Sequence, residues 1–231
     1  MNADDTVLLY STKHIEELEF HLNQDLDCVN DWVKENGLSL NPTKTQFMIF
    51  GTPQKLATIP KVVTLRLESH ALLQVKCYKY LGVHLDPVLN WKEHVYCTSK
   101  KISSRLGLMS RLRKILPSKS VKLLANSLVL PLFDYCSTAW SKCPITTKDV
   151  IVRQHKRMAR IVLGVDTRTP TDYVLSQLNW TTIENRWKLQ RCKLVYRALN
   201  GEAPEYLTHL FKKKQVIPTI IKLDRQYLMD N

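Results

Sequence analysis

The sequence predicts an α+β fold, a small strand-and-helix module followed by an all-helical one. Three observations carry this. Residues 4–85 hold several short β-branched or alternating runs around a single long amphipathic stretch. After Pro87 apolar residues recur every three or four positions in one segment after another. Charge changes at the same place: residues 1–90 carry 8 Lys and Arg against 11 Asp and Glu, and residues 91–160 carry 15 against 3. The implied organisation is a first domain at 1–88, a helical domain at 89–211, and a weakly ordered basic tail at 212–231.

Each element follows from local pattern. Asp4-Asp5 stands at a turn, and Thr6 to Tyr10 reads as a short strand. Ile15, Leu18, Leu22, Leu26, Val29 and Trp32/Val33 space an amphipathic helix over 12–35, with the stripe Leu22, Leu26, Val29 and Trp32 as its core face. Asn36-Gly37 closes it, because Gly accepts the left-handed conformation of a helix end. Asn41-Pro42-Thr43 makes a turn before a strand at 45–50. Val62–Leu67, Leu72–Lys76 and Tyr78–Leu85 read as three more strands, making a small antiparallel sheet with one helix. Asn90 is an N-cap candidate for a helix from Trp91 to about Leu116. Pro117-Ser118 breaks the chain before a helix through Leu128, and Pro131 kinks or restarts the apolar run from Val129 to Trp140. Helices follow at 147–163 (ended by Gly164), from Thr169-Pro170 to Leu178, and at 182–199 (ended by Asn200-Gly201). Beyond Pro204 comes one amphipathic turn holding Tyr206, Leu207, Leu210 and Phe211.

With 231 residues and 44% hydrophobic content the chain can bury a sizeable core. A formal net charge of +13 favours a polyanionic partner. Cysteines stand at 28, 77, 97, 136, 143 and 192 without a C-x-x-C pair, which predicts reduced thiols in an intracellular protein, nuclear or cytoplasmic. Cys136, Cys143 and His155 match no tetrahedral zinc spacing. No apolar run approaches the ~18 residues of a membrane span, so a soluble protein with no membrane partner is expected. Trp91, Trp140, Trp180 and Trp187 are aromatic enough to stack on bases, but at least three of the four belong in the core. His94 and His155 are expected on the polar surface.

Two adjacent aspartates at a strand turn offer the hard oxygen ligands that Mg²⁺ prefers, and two such ions stabilise attacking and leaving oxygens in phosphoryl transfer. In Ala3-Asp4-Asp5-Thr6-Val7-Leu8-Leu9-Tyr10-Ser11 the pair resembles the signature of the reverse-transcriptase palm. Gly37-Leu38-Ser39-Leu40-Asn41-Pro42-Thr43-Lys44-Thr45 resembles the helix-to-strand motif that follows it. Tyr78-Lys79-Tyr80-Leu81-Gly82-Val83, running into Asp86 and Leu89-Asn90-Trp91, resembles the primer-grip segment. Leu132-Phe133-Asp134-Tyr135-Cys136 with Ala139-Trp140, Gln154 through Gly164, Thr169-Pro170 with Leu178-Asn179-Trp180, and Leu194 through Pro204 resemble the thumb region of jockey-like elements. The resemblance spans residues 3–211 and is to LINE-type (non-LTR) retrotransposon reverse transcriptases.

The resemblance implies an incomplete palm followed by a helical thumb-like domain, taking part in RNA-directed DNA polymerisation with Mg²⁺. It makes Asp4 and Asp5 the metal-binding pair, Asp4 the more directly, and brings Lys44 toward nucleotide phosphates. It gives Tyr80, Leu81 and Gly82 the primer end. Lys100, Lys101, Arg105, Arg111, Arg113 and Lys114, with Arg153, Lys156, Arg157 and Arg160, would face an RNA template or RNA–DNA hybrid. Asn2 departs from the aromatic usual before Ala-Asp-Asp. The family's first hairpin strand, its fingers and its other metal-binding aspartate would lie upstream, so the expectation is a chain inactive alone, or one completed by another retroelement polypeptide. The alternatives are a non-enzymatic basic helical nucleic-acid-binding module, or a retroelement remnant without a selected role.

Overall fold

A computed structural model describes residues 6–59 and 63–211. Asp4, Asp5, Val62 and the tail 212–231 lie outside the described residues. The class is α+β, and the chain divides into two compact units, residues 1–180 and 181–231.

In the first unit, α1 (Ile15–Glu35) has Glu16 and Glu17 in its first turn and Lys34 in its last, the arrangement the helix dipole favours. It closes through Gly37 at φ 70°, whose amide donates to the Lys34 carbonyl at 2.9 Å. Its buried face runs through Leu26, Asn30 and Val33, with Ile15, Leu18 and Leu22 half-buried against the core formed with Ile49, Val63, Leu65, Leu67 and Leu72. Asn30 is tolerated there because its amide donates to Glu68 at 3.3 Å, and Glu68 is bound by Lys34 at 2.6 Å. Trp32 is not on this face and is 52% exposed. A 3.6-residue stripe that includes Leu26 and Asn30 continues to Val33, and Trp32 lies about 100° round the helix.

Among the described residues the strands are shorter than the sequence suggests, and they form three two-stranded ladders instead of one antiparallel sheet. Here β1 (Gln46–Phe47) pairs in parallel with β4 (Leu73–Gln74), while β2 (Arg66–Leu67) pairs antiparallel with β3 (His70–Ala71). Residues 6–10 form no strand. Among the described residues nothing pairs with them, and extended chain without a ladder has no stability of its own, although Leu8 still packs on the core. A helix the periodicity did not signal, α2 (Pro53–Thr58), is built by capping: Thr52 Oγ1 accepts from the Lys55 amide at 3.3 Å, and Pro53 occupies the first turn.

Tyr78–Leu85 reads as one strand but folds back as a hairpin of β5 (Tyr78–Tyr80) and β6 (Val83–Leu85). Leu81 and Gly82 both have positive φ, 45° and 82°, the requirement of a two-residue turn matching the strands' twist. Asp86 then organises the crossover to helix. Its carboxylate accepts from the amides of Val88 (3.3 Å), Asn90 (3.0 Å) and Trp91 (2.9 Å), and Asn90 Oδ1 accepts from the Lys92 amide at 2.9 Å.

Helix α3 (Lys92–Leu112) follows, then α4 (Ser118–Leu124) after Pro117. The chain continues through a π-helical stretch (Ala125–Val129) into α5 (Leu130–Asp134), where Pro131 has no amide to donate to the preceding turn. Short α6 (Ser137–Trp140), long α7 (Ile145–Leu163) and α8 (Thr171–Leu178) complete the unit. Its helical core is Ile102, Leu106 and Met109 of α3, Val121, Ala125, Val129, Phe133 and Trp140 of the connecting helices, and Ile151, Met158, Ala159 and Val162 of α7. The second unit holds α9 (Ile183–Leu199), capped by Thr182 Oγ1 on the Asn185 amide, and α10 (Glu205–Thr208). Trp91, Trp140 and Trp187 are buried, and Trp180 is half-buried.

His94 and His155 are not surface residues: both are buried, at 4% and 2% exposure. His94 continues the buried line Thr98–Ile102 one turn back, and His155 falls between Ile151 and Met158. Their rings lie against aromatic neighbours, His94 at 5.3 Å from Trp140, and His155 at 5.6 Å from Phe133 and 6.1 Å from Trp180.

Candidate nucleic-acid interface

Helices α3 and α7 run side by side in the same direction. Gln154 Nε2 of α7 donates to the Ser99 carbonyl (3.0 Å) and reaches Oγ of Ser99 (2.9 Å) and Ser103 (2.8 Å) on α3. Near their C-termini Arg113 Nη2 donates to the Leu163 carbonyl at 3.4 Å. The ten basic residues singled out from the sequence, on and just beyond these helices, divide into two groups. Lys100, Lys101, Arg111, Lys114, Arg153, Lys156 and Arg157 are exposed, and among the described residues none of them meets a carboxylate in an ion pair. Lys100 lies 4.4 Å from the ring centre of exposed Tyr96, and the phenol's hydrogen bond and charge hold the ammonium's pKa above its ordinary value. Arg153 Nε donates to the Asp149 carbonyl at 3.3 Å.

The second group is spent on backbone. Arg105 Nη1 donates to the Leu128 carbonyl in the π-helical stretch. Arg113 lies over Gly164, which ends α7 at φ 76°. Arg160 donates through Nε and Nη2 to the Thr169 carbonyl (3.2 and 3.0 Å) and through Nη2 to Thr171 Oγ1 (3.1 Å), fixing the turn into α8. Periodicity cannot separate the two groups, since all ten residues are equally basic.

The hairpin turn Tyr80-Leu81-Gly82 lies in the same unit. Tyr80 is half-buried, and Leu81 and Gly82 are exposed. Tyr135, between α5 and α6, donates its hydroxyl to the Leu81 carbonyl at 2.5 Å. Behind the hairpin the His84 amide donates to His94 Nδ1 at 3.4 Å. Burial, then the neighbouring His84 and Lys101, push the His94 pKa down to about 4, so its imidazole is neutral at pH 7. Burial likewise pushes the thiols of Cys77 and Cys97 up. Lys44 is exposed beside the Asn41 turn, where Asn41 Oδ1 accepts from the Thr43 and Lys44 amides. Among the described residues no group of three or more His, Cys, Asp and Glu is placed to hold a metal, and the Asp4–Asp5 pair lies outside them.

A family model described as reverse transcriptase (RNA-dependent DNA polymerase) matches residues 2–85. The chain is also similar to a probable RNA-directed DNA polymerase from transposon BS of Drosophila melanogaster, 35% identical over 118 residues, which cover 51% of this chain and 12% of that protein. Residues 2–85 are thus similar to reverse transcriptases, and this relative is a retrotransposon's. A second relative is the retrovirus-related Pol polyprotein from type-1 retrotransposable element R1 2 of Nasonia vitripennis. It is 24% identical over 145 residues, covering 60% of this chain and 35% of the relative. The chain spans about a third or less of the curated relatives it matches, and no solved structure matches it. Reverse transcriptases as a family use a divalent metal and bind a nucleic-acid template. No helix among the described residues is long and apolar enough to cross a membrane.

Sequence reasoning missed two features of this site. Tyr135 was visible only as one letter of the Phe133-Asp134-Tyr135-Cys136 run, and nothing local links it to residue 81. Tyr96 sits four residues before Lys100, and that spacing was a usable signal for an aromatic–cation pair on one helix face.

Proposed function

We propose that this chain forms the nucleic-acid-holding part of a retrotransposon reverse transcriptase, acting within RNA-directed DNA polymerisation by the whole protein. The palm portion is 1–88 and the thumb-like portion 89–211. The observation that carries the reading is the set of seven exposed cations on and just beyond the parallel helices α3 and α7, none of which meets a carboxylate in an ion pair among the described residues. Such a cluster costs self-repulsion that phosphates relieve. Lys100, Lys101, Arg111, Lys114, Arg153, Lys156 and Arg157 contact the backbone of an RNA–DNA hybrid, while Arg105, Arg113 and Arg160 hold the helices that present them. Tyr80, Leu81 and Gly82 meet the primer end, and Lys44 lies toward nucleotide phosphates. Asp4 and Asp5 supply carboxylates for Mg²⁺ within the whole enzyme, in a nuclear or cytoplasmic setting.

The test is fluorescence anisotropy of the chain with a labelled RNA–DNA hybrid across a salt series. Affinity that falls steeply as salt rises supports the reading, and no binding at low salt refutes it. A second reading has its own observation: Leu9 (84%), Phe20 (66%), Leu73 (63%) and Trp32 (52%) are exposed in the first 88 residues. Apolar side chains in that number fit either a surface covered by another polypeptide of the element or a remnant without a selected role. Dye binding and aggregation in the absence of nucleic acid favour the latter.

A further inference from the structure

The exposed Leu81-Gly82 turn is tied to the helices by a chain of contacts that the basic face does not use. Tyr135 donates its hydroxyl to the Leu81 carbonyl at 2.5 Å. Its ring covers the next residue so closely that a Cβ on Gly82 would stand 3.3 Å from Tyr135 Cε1. The Tyr135 carbonyl in turn accepts from Trp140 Nε1 at 2.8 Å. Trp140 is fully buried, with its ring 5.3 Å from that of His94, and His94 Nδ1 accepts from the His84 amide on β6, the hairpin's second strand. The path leaves the turn through one residue and returns to the hairpin three residues later. It spans 54 positions of sequence between Leu81 and Tyr135, and its far end is anchored in the helical core.

A two-residue turn at the tip of strands only three residues long has little stability of its own. Positive φ at the non-glycine Leu81 adds a strain that the surroundings must hold. Tyr135 supplies the hold from outside the hairpin. We propose that Tyr135 is a positioning residue that fixes the Tyr80-Leu81-Gly82 turn in the conformation that meets nucleic acid, with Trp140 and His94 as its anchor. The turn and the helical face are then one binding surface, because displacing Tyr135 releases the tip. The functional half of this proposal rests on the nucleic-acid reading above.

The experiment compares the 231-residue chain with Tyr135→Phe, which keeps the ring over Gly82 and removes only the hydroxyl. Loss of one such hydrogen bond is expected to raise amide hydrogen exchange across residues 80–85 by about 2–10-fold while exchange in α7 stays unchanged. Affinity for an RNA–DNA hybrid should fall by a similar factor with no change in salt slope, since no phosphate contact is removed. Gly82→Ala should loosen the turn in the same way, and add less in the Tyr135→Phe background than in the wild-type chain. Unchanged exchange at 80–85 overturns the pinning. Raised exchange with unchanged affinity overturns its role in binding. A wild-type chain that ignores the hybrid overturns the nucleic-acid reading itself, while the exchange measurement still decides the pinning.

Discussion

Acid should destabilise the first unit through His94 before it affects the rest. The imidazole is buried at 4% exposure, 5.3 Å from the ring of Trp140, and accepts from the His84 amide through Nδ1. Burial, His84 and Lys101 together lower its pKa from 6.5 to about 4 in the folded chain. The unfolded chain therefore binds a proton that the folded chain refuses between those values, and stability falls as pH drops through that window. At pH 7 the linkage contributes almost nothing. At pH 5 the unfolded imidazole is almost fully protonated and the folded one almost entirely neutral, a difference of about 2 kcal/mol at about 1.4 kcal/mol per tenfold. His94→Asn keeps an acceptor near the Nδ1 position and removes the titration. The assay is urea unfolding followed by tryptophan fluorescence at pH 7 and pH 5, for both proteins. The wild-type chain should lose about 2 kcal/mol more than His94→Asn between the two pH values. Equal losses would refute the buried neutral imidazole, however stable either protein proves to be at pH 7.

Further outcomes follow from particular residues. Asp86→Ala leaves the amides of Val88, Asn90 and Trp91 without their acceptor and should cost about 2–3 kcal/mol in urea unfolding. Gly164→Ala places a Cβ against the Arg113 guanidinium at φ 76°, so thermal unfolding should show a loss of at least about 1 kcal/mol. Replacing Arg153, Lys156 and Arg157 together by Gln should lower the salt slope of hybrid binding by about 2 to 3, with little change in melting temperature; replacing Arg160, which holds Thr169 and Thr171, should instead lower the melting temperature. Asp4→Asn should leave hybrid affinity of this chain within about twofold, measured by anisotropy, because the phosphate contacts proposed here lie on α3 and α7.

Much of the helical half was legible because helix ends are local. Gly37, Pro117, Gly164 and Asn200-Gly201 stop or start helices within a residue or two of where they are found, since capping and left-handed φ depend on a residue and its immediate neighbours. The order of motifs that marks the family, and the charge step near Trp91, are equally written in the chain. The strands were harder. The turn of 78–85 at Leu81-Gly82 is held from outside by a hydroxyl from residue 135, which no local pattern shows, and β1 finds its parallel partner 27 residues away. Tertiary packing also decided the histidines, because a periodic stripe does not tell a buried imidazole from a solvated one. It likewise sorted ten similar cations into seven that face solvent and three that bind carbonyls of other segments. Sequence determined where helices begin and end and which family the chain resembles, because those signals act over a few residues. Only the fold determined which side chains hold it together and which remain for a partner, because that depends on contacts between residues far apart in the chain.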